Sequence, residues 1–258
     1  MFEDTKMQFK NVAKWVIRKT KPVSMRILRA ETFLAKKWAS SAYRKYFRLT
    51  WIYTEEVPEY FDHYIDLYYK WSQTRDANWL ERGVFNRQAL KMFTSSRALE
   101  LCCGDGFNAK YFYSASVDKI ICCDYNPETI AFAKRHNLCE NIKYAVTDLR
   151  YEMPDGKFTN IIWDAAISYF SWEEIHVILG RIRQRLEPNG ILSGSTIICK
   201  TREIVPQHKH EFADAKEIEN LLKEYFGKVY IFESEGVNRH NVYFFASDGK
   251  IPFVQNIE

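Results

Sequence analysis

From Arg97 onward, short apolar runs alternate with segments of helical period, the pattern of a largely parallel sheet with helices on both faces. Arg97–Leu101, Lys119–Cys123, Ile142–Val146, Asn160–Trp163, Ile191–Cys199, Lys228–Ser234 and Asn241–Ala246 read as strands. Between them lie helix signals. Asn126-Pro127-Glu128 combines a capping residue, a first-turn proline and an acid that complements the helix dipole. Ser171-Trp172-Glu173-Glu174 has the spacing of a capping box, followed by a stripe of Ile175, Ile178, Leu179, Ile182 and Leu186 that Pro188-Asn189-Gly190 should terminate. Asp214 and Glu217 start another helix, expected to run to Gly227.

The first part of the chain has a different texture. Residues 1–50 hold thirteen Lys or Arg against three acids, a balance of +10, which leaves −6 for the other 208 residues of a chain with net charge +4. Phe9, Val12, Trp15, Val16 and Lys19 follow a helical period, as do Phe33, Leu34, Trp38 and Ala42 beyond the Lys21-Pro22 break. Residues 1–57 are therefore expected to form a basic helical arm. Its plainest role is a solvated face covering the core. A membrane surface, a protein partner or a phosphorylated acceptor would also suit it, and nucleic acid is the least favoured partner. Residues 58–96 should form an aromatic-rich helical cap leading into the core, with Tyr60, Tyr64, Leu67, Tyr68 and Trp71 on one face and Gly83 closing a segment before the next helix.

The stretch Arg97 to Asn108 carries the chemistry. A strand ends in Glu100-Leu101-Cys102-Cys103-Gly104-Asp105-Gly106, where glycines let the backbone approach a ligand closely before a helix N-terminus that attracts negative charge. Asp124 ends the next apolar run, eighteen residues after Gly106, where a carboxylate can accept from two vicinal ribose hydroxyls. The two together imply a cofactor that carries a nucleoside.

These residues resemble the first motif of the class I S-adenosylmethionine-dependent methyltransferases, an acid followed by three alternating glycines, with Cys102 in the first glycine position. The likeness continues through Asp124, Asp148 and Asp164 over roughly residues 79–250. It implies a three-layer Rossmann-like methyltransferase fold, with a mostly parallel seven-stranded sheet, an antiparallel last strand and a helical N-terminal extension. The core would span residues 97–258. S-adenosyl-L-methionine would be held by Glu100, Cys102, Gly104, Gly106, Tyr125, Leu149 and Asp164, with Asp124 at the ribose, Asp148 at the adenine amino group and Arg82 at the methionine carboxylate. The phrase Arg239 to Asp248 further resembles bacterial enzymes that modify small or cell-surface metabolites such as sugars.

Transfer from a sulfonium needs no protein nucleophile, only an aligned acceptor and a base if the acceptor is a hydroxyl. Candidate bases at the ligand-facing sheet edge are His208, His210 and Tyr169, with Glu211 and Asp164 beside them, whereas His63 and His176 are less well placed. The acceptor is expected to be a small molecule with a hydroxyl or amine. Two rival readings are a catalytically silent cofactor-binding partner subunit and an NAD(P)-dependent oxidoreductase, whose fingerprint Gly104-x-Gly106-x-x-Ala109 also satisfies. No Tyr-x-x-x-Lys pair accompanies that fingerprint.

Composition narrows the picture further. A chain of 258 residues with 47% hydrophobic residues can build one large domain with additions. It contains neither a long uncharged apolar span nor the core of a signal peptide, so it is expected in the cytoplasm, with the inner face of a membrane as a peripheral site. Cys102, Cys103, Cys122, Cys123, Cys139 and Cys199 include two adjacent pairs at strand ends, which point to opposite sheet faces and read as reduced core thiols without a metal.

Overall fold

The computed structural model describes residues 29–35, 37–38, 41–42, 78–198, 207–235 and 240–253. The helical periods at Phe9–Lys19 and Tyr60–Trp71, and Cys199, lie outside the described residues. The chain divides into two units, residues 1–57 and 58–258. In the first, the described residues between 29 and 42 are helical, as the spacing of Phe33, Leu34, Trp38 and Ala42 predicts.

The second unit holds α1 (Asn78–Leu90), β1 (Arg97–Leu101), β2 (Lys119–Asp124), α2 (Pro127–His136), β3 (Ile142–Val146), β4 (Phe158–Asp164), α3 (Trp172–Arg185), β5 (Leu186–Ile198), α4 (Ala215–Lys223), β6 (Lys228–Glu235) and β7 (His240–Ser247). The sheet order is β3-β2-β1-β4-β5-β7-β6. The first five strands pair in parallel, and β7 lies antiparallel between β5 and β6. The fold is therefore Rossmann-like and methyltransferase-type, as the resemblance implied.

Side-chain alternation explains the layers. On β1, β2 and β4, Leu99, Leu101, Cys123, Ile161 and Trp163 face one way, into a core closed by Ile175, Ile178, Leu179 and Ile182 of α3 and Ile218, Leu221 and Leu222 of α4. Their neighbours Ala98, Ile120, Cys122 and Ile162 face the other way, against Ile130 and Ala133 of α2 and Tyr113. Further along that second face, Phe85 and Ala89 of α1 pack on Ile191, Tyr243 and Phe245, and the Phe85 and Phe245 rings stack at 4.2 Å. A polar side chain completes this contact: Asn160 of β4 donates to the Ala89 carbonyl at 3.0 Å, satisfying a C-terminal helix carbonyl.

Three local details depart from the sequence reading. Gly83 lies inside α1 and ends nothing. A Cβ there would fall 2.4 Å from the Phe112 ring, so glycine is what lets that ring sit against the helix. The helix expected after the glycine turn is a wide π-helical turn, Ala109–Tyr113, running into the 3₁₀ turn Ser114–Ser116. Leu186, expected as the last apolar residue of a helix, instead opens β5, and the register of β5 on β4 shifts between Phe158 and Asn160. Asn189 takes a left-handed φ of 62° within that irregular start.

The caps follow the sequence more closely. Asn126 accepts from the Glu128 and Thr129 amides, Ser171 and Glu174 form the reciprocal capping box, and Asp214 accepts from the Glu217 amide. Capping of this kind fixes where each helix leaves the ligand-facing edge.

Candidate active site

The parallel ladders continue past the strand ends and thereby fix the loops of one edge. The Cys103 N–H donates to the Cys123 carbonyl at 3.0 Å, Thr147 N–H to Asp124 at 2.9 Å and Ala165 N–H to Ser195 at 2.8 Å. This is the carboxyl end of the strands on both sides of β1, where the strand order reverses and ligands of open α/β sheets bind.

The turn after β1 shows why small residues alternate there. Cys102, Gly104 and Gly106 all have positive φ, at 53°, 54° and 74°. At Cys102 a side chain in the left-handed region strains the backbone whatever its volume. Ala165, at the end of β4, has the same conformation, with φ 53°. Gly106 is further constrained by Tyr144, whose hydroxyl would lie 2.2 Å from a Cβ. That hydroxyl donates to the Asn137 carbonyl at 2.8 Å, which fixes the ring beneath the turn.

Asp124 is buried and joins two loops. Its Oδ2 accepts from the Gly104 N–H at 3.2 Å and its Oδ1 from the Asn126 N–H at 2.9 Å. Burial raises its carboxyl above the ordinary range, and the backbone donors pull it back. A carboxylate has about four acceptor positions, so even with the Tyr125 N–H as a further donor it keeps capacity for a hydroxyl. Tyr125 beside it is exposed.

The other predicted residues divide into groups. Glu100 lies behind the turn, 3% exposed, with its Oε2 lacking a hydrogen-bond partner among the described residues. Burial pushes its carboxyl up to about 8, against a hydrogen bond with Cys122 that lowers it. Asp148 is paired with Arg150, whose Nε donates to its two oxygens at 2.9 and 3.1 Å, and this guanidinium holds the carboxyl below its ordinary range. Leu149 is buried, and its carbonyl accepts from Arg181 at 2.5 Å.

Asp164 is the centre of a polar cluster that sequence reading only partly anticipated. Its Oδ1 accepts from Ser195 Oγ at 2.5 Å and its Oδ2 from Asn108 Nδ2 at 3.5 Å. Burial raises its carboxyl, while Arg82, then Ser195 and Asn86, counteract the shift. Arg82 itself is buried on α1. Asn86 donates to Tyr113 at 3.3 Å, so α1 and the π-helical turn converge on the end of β4. Asn108 was visible in the motif stretch, but nothing in the spacing of Asn86 or Ser195 marks them.

Beyond β4, backbone bonds bring two distant loops together. The Lys209 and His210 N–H groups both donate to the Ser168 carbonyl, at 2.8 and 3.2 Å. His208 is thereby set edge-on to Tyr169, ring centroids 5.1 Å apart, with its side chain only 7% exposed. Its Nδ1 lies 2.7 Å from Glu211 Oε1. His210 engages Glu217 through Nε2 at 3.0 Å and packs against Trp172 and Phe212. The histidines are thus partnered and part-buried, and the i, i+3 spacing of His208 and Glu211 was a legible sign of one of these pairs. Among the described residues, no cluster of His, Cys, Asp or Glu has the grouping of a metal site.

A sheet of this order, with a glycine turn after β1 and a carboxylate closing β2, is the fold of the class I methyltransferases. Residues 98–190 match the family model described as a methyltransferase domain. No curated protein matches the chain in sequence. Solved structures share the fold at low identity. The N-methyltransferase NodS from Bradyrhizobium japonicum WM9 is 16% identical, with TM-score 0.51 over 64% of this chain and 92% of its own. The S-adenosylmethionine-dependent methyltransferase SibL is also 16% identical, with TM-score 0.52 over 74% of this chain and 60% of its own. An O-methyltransferase family protein from Burkholderia thailandensis is 15% identical, with TM-score 0.50 over 65% of this chain and 55% of its own.

Proposed function

We propose that the protein methylates a hydroxyl or amine of a small molecule, such as a sugar or a phosphorylated metabolite, with His208 as the base for a hydroxyl acceptor. The observation that carries this reading is the His208–Glu211 pair beside Tyr169. With Glu211 accepting from Nδ1–H, the Nε2 lone pair of His208 is the one available to an acceptor hydroxyl. His210 is the weaker candidate, because its Nε2 is already engaged by Glu217. Tyr169, 38% exposed, would line the acceptor side.

The residues present fit the methyl donor. Gly104 and Gly106 offer backbone without side chains, Asp124 retains acceptor capacity for a ribose hydroxyl, and exposed Tyr125 would border the nucleoside. Asp148 and the Leu149 backbone would flank the adenine, with Asp148 shared between Arg150 and the base. Arg82 and Asp164 would orient the methionine end, the guanidinium toward its carboxylate and the acid toward its ammonium. Bound S-adenosylmethionine supplies an already activated methyl group. The chain's own tasks are then to align the acceptor, exclude water and receive the hydroxyl proton at His208 Nε2.

Calorimetric titration with S-adenosylmethionine, its demethylated product and NADH, followed by an acceptor screen with the wild type and His208→Gln, tests the reading. Binding of the first two with turnover that His208→Gln abolishes supports it. Binding without turnover on any acceptor favours a silent partner subunit, and binding of NADH alone would return the oxidoreductase reading.

A further inference from the structure

We propose that residues 29–42 form a docking surface for a membrane of anionic phospholipid. The described part of this segment is helical, and Phe33, Leu34 and Trp38 stand 59%, 63% and 76% exposed on it. At 100° per residue, these three positions fall within one face together with Ala30, Lys37 and Ser41. Three large apolar side chains held in water on one helix face incur a solvation cost, and a lipid interface would remove it. The Lys37 ammonium lies over the Phe33 ring, 5.4 Å from its centroid, so its stem covers the aromatic surface while the charge remains free to reach outward.

The charge of the surroundings selects among possible occupants. Residues 1–50 carry +10 while the rest of the chain carries −6, so the densest positive charge of the sequence flanks this apolar face along the chain. Nucleic acid would use the charge but leave Leu34 and its neighbours wet. An apolar protein groove would use the face but waste the charge. An anionic bilayer satisfies both, with the rings and Leu34 below the headgroups and the Lys and Arg residues among the phosphates. The enzyme would then meet its acceptor at a surface, although this inference stands apart from the identity of the acceptor.

Co-sedimentation of the full chain with phosphatidylcholine vesicles, with and without phosphatidylglycerol, tests it. Partition onto the anionic vesicles should exceed that onto neutral ones by at least about tenfold and should fall as salt is raised. The variant Phe33→Ser/Leu34→Ser/Trp38→Ser should lose that binding, and Arg29→Gln/Lys37→Gln should weaken it and flatten its salt dependence. Both should still bind S-adenosylmethionine like the wild type, showing that the core is folded. Equal partition onto neutral and anionic vesicles, unchanged binding by the triple variant, or retention on an oligonucleotide with none on vesicles would overturn the proposal.

Discussion

Asp124 accepts from the Gly104 N–H at 3.2 Å, so the residue at the end of β2 holds the turn that follows β1. The carboxylate that shapes this turn is also the one proposed to receive the ribose of the cofactor. Asp124→Asn keeps the size but turns half of the group into a donor facing backbone N–H groups. Affinity for S-adenosylmethionine should fall at least about tenfold, with a stability loss of about 1–3 kcal/mol. Asp124→Ala should abolish measurable binding. Calorimetry and urea unfolding separate the two effects, and undiminished affinity in Asp124→Ala would refute the ribose assignment.

The His208–Glu211 pair predicts a graded series in turnover. His208→Gln should lower kcat by about 10²–10⁴-fold on a hydroxyl acceptor while leaving cofactor affinity unchanged. Glu211→Gln should cost less, because it disturbs the tautomer and orientation of a ring that is still present. An acceptor whose nitrogen is already unprotonated should be far less sensitive to either change. Single-turnover rates of methyl transfer provide the readout.

Cys102 has a φ of 53° that glycine adopts without strain. Cys102→Gly should therefore gain about 1 kcal/mol, the left-handed strain relieved being partly offset by the extra freedom of the unfolded chain. Cys102→Val should lose about 2 kcal/mol, since β-branched residues tolerate this region worst. Denaturant midpoints at constant m value would show the opposite signs, and a destabilised glycine variant would mean that the thiol contributes packing the backbone does not reveal.

Gly83 predicts a reversal of the usual helix rule. In an unobstructed helix interior, replacing glycine with alanine stabilises by about 0.4–1 kcal/mol. Here the new methyl meets the Phe112 ring at 2.4–2.6 Å, so Gly83→Ala should cost about 1–3 kcal/mol and displace the π-helical turn. Thermal unfolding of Gly83→Ala alone and combined with Phe112→Ala would reveal the coupling: the second change should remove much of the penalty of the first.

Glu100 gives the core a pH dependence. Its carboxyl is raised from 4.5 to about 8 by burial, so across that window the native state keeps a proton that the unfolded chain has released. Stability from this group is complete below about 4.5 and declines as pH rises toward about 8. Glu100→Gln, which cannot ionise, should flatten this slope and be relatively more stable at the alkaline end. Parallel slopes for the two proteins would show that Glu100 is ionised in the native state.

What the sequence conveyed and what it withheld have a common physical origin. β1, β2 and β3 were legible to within a residue because their alternation is local, and the caps at Asn126, Ser171 and Asp214 because each needs only its own next few residues. Gly83 was misread because its partner, Phe112, is 29 positions away, and the π-helical turn because its contacts with α1, Phe112 on Gly83 and Tyr113 on Asn86, join segments far apart in the chain. Leu186 satisfied the helical period of α3, yet pairing with Phe158 draws it into β5. At the site, Gly104, Gly106 and Asp124 stood out by spacing. The grouping of Arg82, Asn86, Asn108 and Ser195 around Asp164 draws on three separate segments, and no local pattern encodes it.

The position of β7 has a consequence for how the domain is made. Until residues 240–247 arrive, the growing sheet ends at β5, with the N–H and C=O groups of Leu192–Ile198 bare along one side. That open edge, flanked by apolar side chains, is an adhesive template for any other strand in the vicinity. β7 is synthesised after the other six strands of the sheet, yet it lies between β5 and β6 and gives β6 its place. Nascent chains stalled before His240 should therefore be the aggregation-prone species of this protein, and the hand-over from sticky intermediate to closed domain should occur within the last few residues of the sheet.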